Sequence, residues 1–238
     1  MRLFNILTLL VLLSWKTSAG KVDGFFQQAD AFFKRYVNSG AVAYQAVKKN
    51  AVEIEALYQR VGSMDLSTAT DGEKKAFLIN AYNIIVIYQV SKYYPLKSPL
   101  DQSGFFDKVK HTVAGVLMTL NTLEIKELLQ TYKDARIHFA LACAAKSCPP
   151  LASFAYTPEK VDQQLNERAT AAVNNGEWLK TYPNQKRVEL SKIFEWYKAD
   201  FTSAGKTQID WINQFRKEKI PASFSVSYYE YNWALNDK

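Results

Sequence analysis

The chain has 238 residues, 48% of them hydrophobic and 22% charged, with a formal net charge of +7. That balance describes a globular protein with apolar surface for one large core or two small ones, and nine Gly and seven Pro exclude a collagen-like or low-complexity chain. The lysines are scattered, often beside Glu or Asp, which is a solvated face and not a nucleic-acid stripe, so no nucleic-acid partner is expected.

Residues 1–19 read as a secretory signal peptide. Arg2 is a positive n-region, residues 6–13 are a short apolar run, and Thr17-Ser18-Ala19 places small residues before Gly20. The run is too short to span a bilayer comfortably. The expected mature protein is a single globular domain over 20–238, periplasmic or secreted, with no membrane span once the leader is gone. Losing Arg2 and Lys16 lowers the charge from +7 to +5.

Past Gly20, the spacing of Phe25, Phe26, Ala29, Phe32, Phe33, Tyr36 and Val37 predicts a helix that Asn38-Ser39-Gly40 stops. Val52, Ile54, Leu57 and Val61 predict a second helix over about 50–62. Thr70-Asp71-Gly72-Glu73 has capping-box spacing and opens a run, 76–90, that is apolar on nearly every face. A helix apolar all round is a buried one, here ended by Pro95. Asn80 and Asn83 lie on one face of it. Buried amides must be hydrogen-bonded, so the pair either ties down neighbouring loops or orients a catalytic side chain.

Residues 105–120 read as a β-hairpin turning at Ala114-Gly115 and carrying His111. Asn121-Thr-Leu-Glu124 has cap spacing, which makes Glu124 the cap of a helix to about 131. Over 137–145 an apolar run is strand or helix; its period separates neither. Thr157-Pro158-Glu159 predicts a helix start with Thr157 as cap, running to about 173. A short strand over 187–190, helices over about 191–201 and 207–219, and a bulged strand from Phe224 to Trp233 complete the chain. The fold class is α+β, mostly helical, with a central buried helix and a small antiparallel sheet.

The functional reading centres on 134–150. It holds both cysteines, Cys143 and Cys148, and His138, one of two histidines in the chain. Three readings follow. In the first, Cys148 is a thiol nucleophile on a backbone stiffened by Pro149 and Pro150, with Lys146 lowering its pKa and His138 as base. His111 is the only other imidazole, and Asn80 or Asn83 would orient the base. The chemistry would be acyl transfer or hydrolysis of a peptide, amide or ester. In the second, the protein is a non-enzymatic peptide- or glycan-binding module in which Cys143 and Cys148 are structural, bridged or buried; the ligand is a small molecule, peptide or glycan. In the third, His138, Cys143, Cys148 and His111 hold a metal. The interval between the cysteines does not match the usual zinc pairs, and neither a metal nor another cofactor is expected.

Three ordered motifs carry a resemblance. Lys75-Ala-Phe-Leu-Ile-Asn-Ala-Tyr-Asn83, then Arg136-Ile-His-Phe-Ala-Leu with Ala145-Lys-Ser-Cys-Pro-Pro-Leu151, then Leu190-Ser-Lys-Ile-Phe-Glu-Trp-Tyr197 resemble signatures of the domain of unknown function 547 family. Tyr156 and residues 120–125 also fall where that pattern expects them. The resemblance covers about 40–235. It has Pro, Asn and Gly where this chain has Ala135, Ala142 and Ala144. The family includes exported bacterial members; the resemblance implies a site location and not a reaction.

Overall fold

The structure, a computed structural model, describes residues 19–202 and 205–238, with side chains from Gly24 onward. The leader expected over 1–19 lies, apart from Ala19, outside the described residues.

Helix α1 (Ala19–Tyr36) ends as expected, and Ser39 and Gly40, both at positive φ, turn the chain between β1 (Val37–Asn38) and β2 (Ala41–Val42). A helix not anticipated, α2 (Tyr44–Lys49), precedes α3 (Ala51–Ser63). Next comes α4 (Asp71–Tyr93), with the capping box in place: the Glu73 N–H donates to Thr70 Oγ1, and Glu73 accepts from the Thr70 N–H. Ile84, Ile85, Val86 and Ile87 are successive residues, yet each is at most 1% exposed. At roughly 1.5–3 kcal/mol for each buried aliphatic side chain, α4 anchors the larger core.

Strands β3 (Lys110–Val113) and β4 (Val116–Thr119) form the expected hairpin, in register Val113↔Val116, with Ala114 and Gly115 at positive φ in its turn. Helix α5 (Leu120–Thr122) then widens into a π-helical stretch over Leu123–Gln130. Its cap is Thr119, which accepts from the Thr122 N–H, so Glu124 is not the cap its spacing suggested.

Helix α6 (Val161–Val173) starts later than Thr157 predicted. The Thr157 carbonyl accepts from the Lys160 N–H in a preceding turn, and its own N–H goes to Gln164. Strands β5 (Leu179–Tyr182) and β6 (Arg187–Leu190) are antiparallel, while β7 (Ser225–Tyr228) joins β6 in parallel, so this three-stranded sheet is mixed. Helices α7 (Lys192–Trp196), α8 (Lys198–Phe201) and α9 (Gln208–Phe215) lie between β6 and β7 in sequence. The last strand stops at Tyr228; residues 229–233 are an irregular tail, without the expected bulge.

The fold is α+β and mostly helical. Its larger hydrophobic cluster gathers around α1, α3 and α4, and a smaller one gathers Trp178, Leu190, Phe194, Phe201 and Ile212. The stretch 134–150 runs along their seam: Ile137 and Leu141 enter the first cluster, Ala135 and Phe139 the second. Among the described residues no helix is long and apolar enough to cross a membrane.

Candidate functional site

The seam segment is held by the amides that its sequence neighbours cannot supply. Asn83, 1% exposed, donates to the Ala140 carbonyl at 2.9 Å and accepts from the Ala142 N–H at 3.0 Å. Asn80 does the same for Tyr156, accepting from its N–H at 3.0 Å and donating to its carbonyl at 2.8 Å. Both clamp loops, and neither hydrogen-bonds an imidazole. Upstream, Asp134 caps the 3-10 turn Ala135–Phe139 and holds the Arg136 guanidinium. Downstream, Ala144 sits at φ +62°, the left-handed region that glycine enters without strain. That is a physical reason for the glycine of the resembling pattern at this position.

Cys143 and Cys148 are joined in a disulfide. This corrects the nucleophile reading: Cys148 is 4% exposed, and no free thiol remains. Its sulfur accepts from the Cys143 N–H at 3.0 Å and the Tyr231 O–H at 3.2 Å, and no hydrogen bond joins it to a histidine. Lys146 is exposed, and its backbone N–H, not its ammonium, does the anchoring, by donating to the Ala234 carbonyl. The metal reading falls with the bridge, which takes both sulfurs.

His111 is a core histidine away from this segment. Its Nε2–H donates to Gln89 Oε1 at 2.6 Å, and its Nδ1 accepts from the Tyr58 hydroxyl at 3.1 Å. Gln89 in turn donates to the Phe105 carbonyl, which fixes the amide and hence the neutral tautomer. Burial lowers the His111 pKa to about 4. His138 pairs with a residue the sequence did not indicate: Nε2 meets Asp200 Oδ2 at 2.8 Å, with the ring against Tyr197 and Phe201. No described residue hydrogen-bonds the other ring nitrogen, Nδ1.

The disulfide and His138 share a cleft of about 410 Å³ at the seam of the two clusters. Tyr82 of α4, Asn121 and Glu124 line it; Phe106 and Asp107 come from the loop before β3; Ile193, Trp196 and Tyr197 from α7 and its end; Tyr231 and Trp233 from the tail. Trp196 and Trp233 stack with centroids 6.0 Å apart and an interplanar angle of 25°, and Tyr231 packs on both, at 4.9 and 4.8 Å. Trp196 is 49% exposed, so this aromatic wall faces solvent on one side.

Glu124 is the central polar group. It accepts from the Tyr82 hydroxyl at 3.0 Å and from the Tyr197 hydroxyl at 2.8 Å. Burial, then the charge of Glu124, raises both phenols far above their ordinary pKa, so both remain donors. Burial and nearby Tyr229 and Glu124 raise Tyr231 likewise. The π-helical stretch aims Glu124 inward, and such stretches recur at functional sites. One sequence signal could have pointed here: Tyr82 lies on the buried face of α4, and a buried tyrosine needs a partner for its hydroxyl.

Residues 66–171 match the family model described as "Protein of unknown function, DUF547". Over those residues the chain is similar to that family. The match takes in α4, the hairpin and the disulfide segment but not Leu190–Tyr197, a narrower span than the motifs suggested. No curated protein and no solved structure matches the chain.

Proposed function

We propose that this protein is an exported ligand-binding module, and that the cleft takes a small molecule, or a short stretch of peptide or glycan, with a flat apolar face edged by hydrogen-bond donors. The observation that carries this is the pairing of the aromatic wall with the tyrosine-held carboxylate of Glu124. Largely aromatic clefts of this size with a few placed polar groups are what ligands of such size require. Glu124 and Asp107 both accept, so the complementary ligand donates. Export rests on Arg2, the apolar run 6–13 and Ala19.

The test is a fluorescence titration of the tryptophans against short peptides, oligosaccharides and aromatic amines. A binding member of the panel should lose affinity by about tenfold or more in Trp196→Ala, as a buried aromatic contact does. Glu124→Gln should weaken it further. Binding indifferent to both substitutions, or no response from any class, rejects the reading.

A further inference from the structure

The disulfide forms part of the cleft wall, and ligand binding by the aromatic rings gives it no task. Three observations single it out. Two donors meet the bridge: the Cys143 N–H donates to Cys148 Sγ at 3.0 Å, and the Tyr231 hydroxyl lies 3.2 Å from Cys148 Sγ and 3.2 Å from Cys143 Sγ. A disulfide sulfur is a weak acceptor and a thiolate a strong one, so these donors favour the state in which the bond is open and Cys148 is charged. The two sulfurs also differ in access: Cys143 is part-exposed and Cys148 only 4% exposed. Finally, hydrogen bonds hold the loop besides the bridge. The N–H groups of Lys146 and Ser147 donate to the Ala234 and Asn232 carbonyls, the Asn236 N–H donates to Ala144, and Trp178 Nε1 donates to the Ser147 carbonyl.

We propose that Cys143–Cys148 is a thiol–disulfide exchange centre whose substrate is a dithiol entering the cleft. One substrate thiolate attacks Cys143 Sγ. A substrate–Cys143 bond forms, the Cys143–Cys148 bond breaks, and its electron pair stays on Cys148 Sγ as a thiolate held by the Cys143 N–H and the Tyr231 hydroxyl. The second substrate thiolate attacks the substrate's own sulfur in that mixed disulfide, closes the substrate disulfide and releases Cys143 as thiolate. The substrate loses two electrons, the cysteine pair gains them, and the two thiol protons end on the cysteines. A disulfide compound returns the pair to its bridged form by the same steps reversed. Asp107 and Glu124 face the same space and oppose charge on the sulfur; Tyr82 and Tyr197 are committed to Glu124, and His138 to Asp200.

The test uses the full oxidised chain and dithiothreitol, with acid quench, alkylation and mass analysis. Native protein should exchange at least about tenfold faster than the same chain unfolded in urea, with the trapped mixed disulfide on Cys143. Tyr231→Phe keeps the ring and should slow the native reaction by about tenfold, the effect of one hydrogen bond to a charged group, leaving the unfolded rate unchanged. A second measurement stands if that variant does not fold: the lone Cys148 thiol of Cys143→Ser should alkylate at lower pH than the lone Cys143 thiol of Cys148→Ser. Native exchange slower than unfolded, adducts on Cys148, or the reverse order of alkylation overturns the proposal. It goes beyond the binding reading, and dithiothreitol has no flat apolar face, so either can fail without the other.

Discussion

Replacing Glu124 with Leu removes the acceptor of two tyrosine hydroxyls at once. Tyr82 is 2% exposed, and its hydroxyl has no other described acceptor; Tyr197 is only part-buried, so water reaches its end more readily. A hydrogen bond to a charged group contributes about 1.5–3 kcal/mol, and a stranded buried hydroxyl costs about 1–3 kcal/mol. Taking the full penalty at Tyr82 and a fraction at Tyr197, Glu124→Leu should lose about 2–4 kcal/mol. The melting temperature should fall by roughly 5–15 °C. In a Tyr82→Phe/Tyr197→Phe background the same substitution strands nothing, and the loss should shrink to within about 1 kcal/mol. Urea melts of the four chains give the coupling directly. Equal losses in the two backgrounds would refute the assignment of Glu124 as the shared acceptor.

Asn83→Ala strands the Ala140 carbonyl and the Ala142 N–H and should lower stability by about 2–4 kcal/mol in a denaturant melt, whereas a loss below about 1 kcal/mol would mean the clamp is dispensable. His111 takes a proton more readily in the unfolded chain, near 6.5, than in the fold, where its pKa is about 4. Its neutral state therefore supports the fold fully above about pH 6.5, and about 2 kcal/mol should be lost as pH falls from there to 4. His111→Gln should flatten that slope, and an unchanged pH profile would show that another group causes it. Sequencing of secreted or periplasmic protein should find an N-terminus near Gly20; the intact Met1 terminus in a cytoplasmic fraction would rule export out.

What the sequence made legible was local. The Thr70–Glu73 cap, the apolar girth of α4 and the Ala114-Gly115 turn each depend on residues a few positions apart, and each formed as read. The clustering of Cys and His over 134–150 was legible too, and His138, Cys143 and Cys148 line one cleft. Contacts across long separations were not. Asp200 meets His138 from sixty-two residues away, and Glu124 meets Tyr82 from forty-two, and neither leaves a period in the sequence. Glu124 was misread because cap spacing at Asn121 resembles a helix start, whereas Thr119 caps and the π-helical widening turns Glu124 toward the core. The tail was misread as a strand because Tyr229, Tyr231 and Trp233 alternate. Their change of phase marks where β7 ends and the chain turns to pack rings over the cleft. Strand β5 escaped notice because only Leu179 of its four residues is buried, which gives no alternation to read.

The 143–148 segment is a covalently closed wall of the cleft and not a free nucleophile. Thiol counting on unreduced, denatured protein, with peptide mapping under non-reducing conditions, tests it directly. A closed bridge gives no reactive thiol and one linked peptide pair containing Cys143 and Cys148. Two free thiols would contradict it and would return Cys148 to the role of a nucleophile.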